Sequence, residues 1–262
     1  MGPVTAAVQD LAPVTLDELV ADAALLTRVD RKYVLPADAL PGLIAALPSG
    51  TRRLTIDGRA DFGYRSVYLD TPELDAFHAA AGRRRRRYKV RTRSYLDTGG
   101  CWLEVKTRGP RGCTVKCRRE HPDPGSVGAG LPFVRAALSD AGIPQPPRLD
   151  LAPVLVTEYR RTTLHLPDGS RATLDTGLSW SGPGGGRRVA LPGRLIVETK
   201  SDHGAGDLDH VLWQAGHRPE RISKYATGLL LLHPDLTGRP WRRTLRRALT
   251  PGDTSCAARS AR

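Results

Sequence analysis

The sequence of 262 residues is poor in several features that would point to a familiar function. Aromatic residues make up only 5% of the chain, which argues against a single-strand nucleic-acid binder that stacks bases on aromatic rings. The four cysteines form no CxxC pair and have no paired histidine, so neither a zinc site nor a disulfide framework is predicted. They are Cys101, Cys113, Cys117 and Cys256. The histidines suggest no metal cluster either, because the spacing of His203, His210 and His217 is more typical of a surface stripe.

Several sequence motifs and targeting segments are missing as well. There is no nucleophile elbow, Walker loop or Rossmann fingerprint, since the glycines at 184–186 are not followed by Lys-Ser/Thr and a helix. The first residues lack the basic and apolar regions of a signal peptide. The longest apolar run, 226–232, is far too short to span a bilayer. We therefore expect a cytoplasmic protein with no transmembrane segment of its own.

Positive charge is what the sequence has in excess. Lys and Arg number 40 and Asp and Glu 27, which gives a formal charge of +13 and a pI near 10.2. This balance favours polyanionic partners: nucleic acid, an anionic membrane, polyphosphate or nucleotide phosphates. Specific nucleic-acid recognition is the least favoured of these, because the sequence carries no recognition motif.

The positive charge is concentrated in residues 83–120, where it follows a period of two. Cations alternate with apolar or small residues in three short segments, which turn signals at 97–100 and 109–112 connect. This alternation predicts three strands in consecutive hairpins, each with one cationic face. The residues of that face include Lys89, Arg91, Arg93, Glu104, Lys106, Lys116 and Arg118. The arginine run 83–87 is predicted to be a solvated strand entrance or loop.

The rest of the chain predicts an antiparallel α+β domain of about eight strands, most of them linked by hairpins. The other predicted strands are 28–35, 63–69, 154–166, 171–180 and 194–200. Helices are predicted from Thr15 onward and at 36–47, 72–81, 132–141, 207–216 and 224–232, and a flexible loop at 181–186. Residues 1–14 are predicted to be a flexible leader, 15–237 the domain and 238–262 a basic tail. In the tail a frayed end is favoured over an amphipathic helix with Trp241, Leu245 and Leu249 on one side.

Two interpretations of the charged faces stay open from periodicity alone. An eight-stranded barrel has a lumen wide enough for one ligand, and a cationic lumen would bind phosphates. One or two of the strand-borne carboxylates could then hold a divalent metal against them. These are Glu104, Glu158, Asp175 and Glu198. Alternatively, the charges lie on the solvated outer face of an ordinary sheet.

An ordered series of short motifs resembles the VTC (vacuolar transporter chaperone) polyphosphate polymerase domain family. The motifs run through most of the chain, from about residue 25 to 236, and the ordered set is more specific than any one member. They are 28–33 (RVDRKY), 66–71 (SVYLDT), 89–95 (KVRTRSY), 103–106 (LEVK), 158–162 (EYRRT), 197–200 (VETK) and 223–225 (SKY). The resemblance implies a triphosphate tunnel fold, in which an antiparallel eight-stranded β-barrel with flanking helices encloses a basic tunnel.

The resemblance also implies a function and its residues. The expected activity is that of a polyphosphate polymerase, which transfers the γ-phosphate of ATP to a growing polyphosphate chain with the help of Mn²⁺ or Mg²⁺. Glu198 would be the metal ligand. The residues that would act on substrate phosphates are Lys32, Arg91, Arg93, Lys106, Arg161 and Lys224. Further substrate-binding candidates are Tyr159 and Ser223, then Lys89 and Lys200 on the same strand faces, and, with a weaker match, Lys116 and Arg118.

The sequence departs from the fungal polymerase subunits in two respects. It has neither an SPX domain nor transmembrane segments, so a membrane-protein partner is a possible addition. Tunnel relatives also include triphosphatases, adenylate cyclases and non-catalytic polyphosphate binders. A binding or scaffold module and a short-chain inorganic triphosphatase are therefore the alternatives. A single metal carboxylate, in place of the paired Glu-x-Glu of hydrolytic relatives, favours the polymerase.

Overall fold

The structure is a computed structural model that describes residues 3–21, 29–109, 114–202 and 204–248. Parts of several predictions fall outside these residues. They are Arg28, the turn at 110–112, Cys113, His203, Leu249 and Cys256. Within the described chain, no helix combines the length and the apolar character that crossing a bilayer requires.

Eleven strands and eight α-helices are described. The strands are β1 (Ala12–Val14), β2 (Val29–Pro36), β3 (Arg52–Leu54), β4 (Asp61–Asp70), β5 (Tyr88–Tyr95), β6 (Cys101–Arg108), β7 (Thr114–Glu120), β8 (Ala152–His165), β9 (Arg171–Gly182), β10 (Gly185–Ala190) and β11 (Arg194–Ser201). The helices are α1 (Pro3–Ala7), α2 (Leu16–Ala21), α3 (Leu40–Ala45), α4 (Asp75–Ala81), α5 (Leu131–Asp140), α6 (Asp207–Gln214), α7 (Lys224–Leu232) and α8 (Arg242–Ala248). Short 3₁₀ turns precede α3, α5 and α8.

The main sheet confirms the predicted antiparallel α+β class. Eight strands follow one another in the order β2-β11-β9-β8-β4-β5-β6-β7, and every neighbouring pair is antiparallel. The short strands β10 and β3 add to β9 and β8, and β1 pairs with β3. The three hairpin strands predicted in the basic segment are β5, β6 and β7.

The expectation of a closed barrel is not met, because β2 and β7 form the two ends of the sheet and share no hydrogen bonds among the described residues. A cavity of about 800 Å³ lies between these ends, lined by Lys32 of β2 and by Lys106 and Thr114 of β6 and β7. Lysines beside strand edges oppose pairing of those edges, since the like charges would have to approach each other. The sheet is therefore curled but open along one seam.

The register of the sheet places the charged residues in common rows. Tyr68 pairs with Arg91, Arg91 with Glu104, and Glu104 with Arg118. The next row contains Lys89, Lys106 and Lys116. Because side chains alternate between faces along each strand, these rows share one face. We call it the inner face, and the space that it encloses the lumen.

Apolar packing decides which face becomes the inner one. The opposite face of β5 and β6 carries Val90, Leu103 and Val105, which pack against α5 in one buried cluster. The opposite face of β2, β8, β9 and β11 packs in a second cluster with α1, α3 and α6. Since burial of these side chains is the main stabilising term, the charged rows must face the other way.

Helix α7 closes one end of the lumen with apolar side chains. Its residues Tyr225 and Leu229 pack against Leu155, Trp180 and their neighbours in a third cluster. Gly228 approaches the Trp180 ring so closely that a methyl group at this position would overlap it. The Trp180 indole N–H also donates a 2.7 Å hydrogen bond to the carbonyl of Lys224 at the start of the helix. These contacts fix the position of α7 relative to the sheet.

Three segments differ from their predicted structure. In the tail, where the sequence favours a frayed end, residues 239–248 form a 3₁₀ turn and α8, and Trp241 and Thr244 are buried. The flexible loop predicted at 181–186 is wrong: β9 continues to Gly182 and β10 begins at Gly185, so a tight hairpin occupies this stretch. Gly185 has a φ of 87°, which glycine adopts without strain. The glycines that suggest a flexible loop are therefore the residues that the tight turn needs. Residues 3–14, predicted as a leader, contain α1 and β1, and Val4 and Val8 are buried.

Candidate functional site

Charged side chains from distant strands of the sheet meet in the lumen. Four strands separate β6 from β11 in the sheet order, yet Lys106 of β6 lies close enough to Glu198 and Lys200 of β11 for their charges to shift its pKa. Lys89 of β5 is affected in the same way by Lys32 of β2. The interpretation of the charges as a solvated outer face is therefore wrong for these residues.

Glu104 is the centre of one group of ion pairs. Its carboxylate is buried and accepts hydrogen bonds from Arg91 Nε at 2.8 Å and Nη2 at 2.6 Å. Lys116 Nζ lies 2.5 Å and Arg93 Nε 3.9 Å from it. Burial would raise the pKa of this carboxyl, but the three cations hold it well below its usual range. Glu104 is thus ionised and fixes the directions of Arg91 and Lys116.

Asp175 is the centre of a second group, which joins the sheet to helix α7. Arg161 binds both of its oxygens, with Nε at 2.6 Å and Nη2 at 2.8 Å, and Lys224 Nζ forms a further ion pair. Burial acts to raise the pKa of Asp175, but Arg161 and Lys224 lower it far more. Lys224 is the first residue of α7, and the Ser223 hydroxyl caps that helix by accepting from Ala226 N at 3.2 Å.

Glu198 lies in a third group with two lysines. Lys32 Nζ is 2.8 Å and Lys200 Nζ 3.3 Å from Glu198 Oε1. Burial raises the pKa of Glu198, yet the neighbouring cations hold it well below its usual value, so the group is ionised. In the described residues no three potential His, Cys, Asp or Glu ligands come together as a metal site. Glu198 alone would offer a metal one carboxylate, which leaves most ligands to the substrate or to water.

Among the cations of the described lumen, Lys89 and Lys106 are the two that form no ion pair with a carboxylate. Lys89 Nζ donates a 3.0 Å hydrogen bond to the Ser223 hydroxyl. Burial, and then the charge of Lys32, lowers the pKa of Lys89 to about 8. Burial and the nearby Arg91 lower the pKa of Lys106 to about 7. Anionic oxygens in this space would therefore gain two cations that the protein does not neutralise.

A layer of tyrosines supports the arginines. Tyr159 stacks on Tyr64 with ring centroids 5.3 Å apart, and Lys224 Nζ lies 4.3 Å from the Tyr159 centroid. Its hydroxyl is buried and has no hydrogen-bond partner in the described structure. Burial would raise the pKa of this hydroxyl, but the surrounding cations lower it more, and the pKa lies below its usual value. These cations include Arg93, Arg161 and Lys224.

The structure brings almost all of the predicted site residues to the lumen. On or beside the inner face are Lys32, Lys89, Arg91, Arg93, Lys106, Lys116, Tyr159, Arg161, Glu198, Lys200, Ser223 and Lys224. Arg118 lies at the rim, where it is exposed and stacks 4.7 Å over Trp102. Glu158 does not join them, because it faces outward and pairs with Arg65 and Arg188.

Some motif residues serve the fold rather than the lumen. In the first motif Arg31 pairs with Asp209 at 3.1 Å, and the Tyr33 hydroxyl donates to the same carboxylate at 2.6 Å. Both residues therefore hold α6 on the outer face, while Lys32 between them points inward. Asp70 accepts from the Tyr225 hydroxyl and from backbone N–H groups of α4.

Sequence reasoning named Glu104 and Asp175 as carboxylates but did not assign them to the site. Their position in the period-two pattern was the available signal, since Glu104 alternates with Leu103 and Val105. Tyr64 and Tyr68 were missed without a comparable signal, because tyrosine suits a buried strand on either face. Each contacts an arginine of the lumen, Arg93 and Arg91 respectively.

The open seam leads from the lumen to solvent. The 800 Å³ cavity between the ends of the sheet is lined by Lys89 and Lys106 inside and by Arg83, Arg85 and Arg87 further out. The run 83–87 is irregular and mostly exposed, as predicted. Its arginines nevertheless extend the positive surface from the lumen to the outside. We call this cavity the tunnel mouth.

Comparison with known protein families agrees with the motifs. Residues 27–124, which carry β2 to β7, match the family model of the VTC domain. The resemblance predicted from the motifs is confirmed over this part of the chain. No curated protein matches the sequence at a significant level.

The solved structures that match this chain in a structural comparison include three proteins of low sequence identity. HpAC1 from Hippeastrum, an adenylyl cyclase candidate with a dominant triphosphatase activity, is 15% identical, with 80% of this chain and 97% of that chain covered and a TM-score of 0.47. The PH1819 protein from Pyrococcus horikoshii OT3 is 15% identical (78% and 98% covered, TM-score 0.45). A conserved hypothetical protein from Pyrococcus furiosus is 11% identical (76% and 99% covered, TM-score 0.45).

Proposed function

We propose that this protein is a polyphosphate polymerase-like phosphotransferase, which transfers the γ-phosphate of ATP to the end of an inorganic polyphosphate chain in its lumen. The observation that carries the proposal is the convergence of lysines and arginines from six strands and α7 on the one lumen. Within that space, three carboxylates face about three times as many cations. The VTC family match supports phosphoryl chemistry for such a surface.

Phosphoryl transfer requires positioning and charge neutralisation more than a reactive side chain. A terminal oxygen of polyphosphate attacks the γ-phosphorus of ATP, the bond from that phosphorus to the β–γ bridging oxygen breaks, and ADP leaves with the electron pair. Arg91 and Arg161 are each fixed by a buried carboxylate and can present their remaining N–H groups to phosphate oxygens. Lys89 and Lys106 form no ion pair in the described lumen, so their ammonium groups can bind phosphate oxygens when protonated.

A divalent cation fits this lumen only when phosphates share in binding it. Such a cation would lower the charge repulsion between donor and acceptor phosphates. Glu198 would supply a carboxylate oxygen to it from beside the ammonium groups of Lys32 and Lys200. The inner face of β11 reads Ile196, Glu198, Lys200, so it offers one carboxylate rather than two. Mn²⁺ and Mg²⁺ both accept this coordination.

The test is synthesis of polyphosphate from ATP with Mn²⁺ or Mg²⁺, followed on gels as a ladder of chain lengths. We expect the wild-type protein to form the ladder and Glu198→Ala to lose it. The matched control is Glu158→Ala, which removes a glutamate that faces outward, and we expect it to retain the activity. A ladder of unchanged intensity with Glu198→Ala would contradict the role of this residue.

A non-catalytic polyphosphate-binding module is the second candidate, and one observation favours it. Each carboxylate of the lumen already pairs with cations, so none is free to act as a general base. Tight binding of long-chain polyphosphate without product from any nucleotide would establish this alternative. Release of orthophosphate from tripolyphosphate would instead identify a short-chain triphosphatase.

A further inference from the structure

A second positively charged cavity lies outside the lumen, between the 216–221 segment and α8. It has a volume of about 640 Å³. Its described lining includes five arginines from three separate parts of the chain: Arg194, Arg218, Arg221, Arg243 and Arg247. Glu220 is the one carboxylate in that described lining. We call this cavity the arginine cleft.

None of the five arginines of the cleft forms an ion pair with a carboxylate among the described residues. Arg218 Nη1 donates to the backbone carbonyls of Trp213 at 2.8 Å and His217 at 3.1 Å, so its charge stays uncompensated. The Glu220 carboxylate accepts a 3.0 Å hydrogen bond from the Thr244 hydroxyl. Because Thr244 is buried, this bond holds α8 against the 216–221 segment, and the two together form the walls of the cleft.

The arginine cleft adjoins the tunnel mouth. Pro219, Glu220, Arg221 and Pro240 line both cavities. A flexible anionic chain that leaves the lumen through the mouth therefore has Arg221 beside it, and the arginines of α8 line the same cleft as Arg221. Repeated positive charge along such a path attracts an anion with repeated charge more strongly than a single phosphate.

We propose that the arginine cleft binds the outer part of a linear inorganic polyphosphate whose inner part occupies the lumen. The inference rests on the proposed function only in taking the lumen as a polyphosphate site; it does not require catalysis. Guanidinium groups bind phosphate oxygens through two parallel hydrogen bonds, and a chain of phosphates offers such oxygens at every unit. Short phosphates that fill the lumen alone do not reach the cleft.

The experiment compares the affinity of the whole protein for tripolyphosphate and for long-chain polyphosphate of several tens of units. The test variant is Arg243→Gln/Arg247→Gln, because both residues line the cleft but not the tunnel mouth. The control variant is Arg239→Gln/Arg242→Gln, which removes the same charge from exposed residues that line neither cavity. Binding is measured by calorimetry at several salt concentrations, and thermal unfolding checks that each variant folds.

We expect the test variant to bind long-chain polyphosphate about tenfold more weakly near 0.15 M salt, where exposed charge contacts are partly screened. For the test variant, the slope of log K against log salt concentration should become shallower by about one to two, which is one for each lost phosphate contact. Its affinity for tripolyphosphate should stay within about twofold of wild type, and the control variant should match wild type for both ligands.

Three results would overturn the inference. They are equal affinity of the wild-type protein for the two ligands, an unchanged long-chain affinity of the test variant, and an equal loss for both ligands. An equal loss of affinity for both ligands would show that the arginines act only through the overall electrostatic field of the protein. Failure of the proposed function is distinguishable, because a protein that makes no polyphosphate can still lose long-chain affinity selectively. Conversely, active synthesis with unchanged long-chain binding would reject the cleft and leave the proposed function in place.

Discussion

Replacing Glu104 by Gln should destabilise the free protein and at the same time strengthen its response to phosphates. Glu104 is 1% exposed and neutralises Arg91, Lys116 and, at longer range, Arg93. Removing one partner of a buried ion pair costs about 3–5 kcal/mol, because the other charge stays buried without a partner. The Lys116 side chain is 35% exposed and solvent screens it, so we expect a loss of about 2–3 kcal/mol here.

Glutamine has the shape of glutamate, so no cavity adds to this loss. For a chain of this size, it corresponds to a decrease of roughly 5–10 °C in Tm. Tripolyphosphate should restore more stability to Glu104→Gln than to wild type, since its oxygens replace the missing carboxylate beside the three cations. The measurements are urea and thermal unfolding with and without tripolyphosphate. Glu158→Gln, on the outer face, is the control and should change the free energy of unfolding by less than about 0.5 kcal/mol.

The difference in stability between wild type and Glu104→Gln should also depend on pH. The pKa of Glu104 in the folded protein lies below its usual value, so its ion pairs stabilise the fold above about pH 4.3, the ordinary value for Glu. This stability is lost as the pH falls toward the folded-state pKa. The difference between wild type and Glu104→Gln should therefore shrink below about pH 4.3. A variant as stable as wild type at neutral pH, with the same response to tripolyphosphate, would refute the central role of Glu104.

Two further predictions concern phosphate binding. Tripolyphosphate affinity should fall as the pH rises above about 7, because Lys106 has a pKa of about 7 and only its protonated form binds anions. Calorimetry across pH 6.5 to 9 should show this fall in the wild-type protein and a weaker fall in Lys106→Met. Equal slopes of affinity against pH for the two proteins would contradict the prediction. Arg161→Gln should weaken tripolyphosphate binding by about a hundredfold, since it removes a buried guanidinium that Asp175 orients. The control is Arg160→Gln. This arginine faces outward and pairs with Asp61, so its loss should change the affinity less than about twofold.

The strands of the basic segment could be predicted because their signal is local. Alternation of Lys89, Arg91 and Arg93 with smaller residues defines a strand, and glycine-containing turns define its neighbours. The direction of the charged face could not be predicted in this way. The alternation puts Val90 and Thr92 on the face opposite the cations, but it does not show whether the cations meet solvent or a lumen. Helix α5, which lies some 40 residues later, packs over Val90 and leaves the cations on the inner face. Tertiary packing decided that question.

The charge pairing of the lumen was beyond sequence reasoning for a related reason. Asp175 and Lys224 are 49 residues apart, and their contact depends on how α7 enters the open end of the curled sheet. Glu198 and Lys106 come together only because the sheet curves through four intervening strands. Local periodicity contains no information on curvature. The family resemblance supplied that information, although the family model itself matches residues 27–124, which contain Lys106 but not Asp175, Glu198 or Lys224.

The close contact between Gly228 and Trp180 has a consequence for how the lumen can change. The absence of a side chain at this position sets how deeply α7 enters, and thereby how far the ammonium of Lys224 reaches toward Asp175. The depth of a charged group is thus controlled by an uncharged steric spacer one turn away. Substitutions between small apolar residues at the helix–sheet contact can therefore change the spacing of the cations without replacing any lysine or arginine. The length of the anion that these cations bind would change with that spacing.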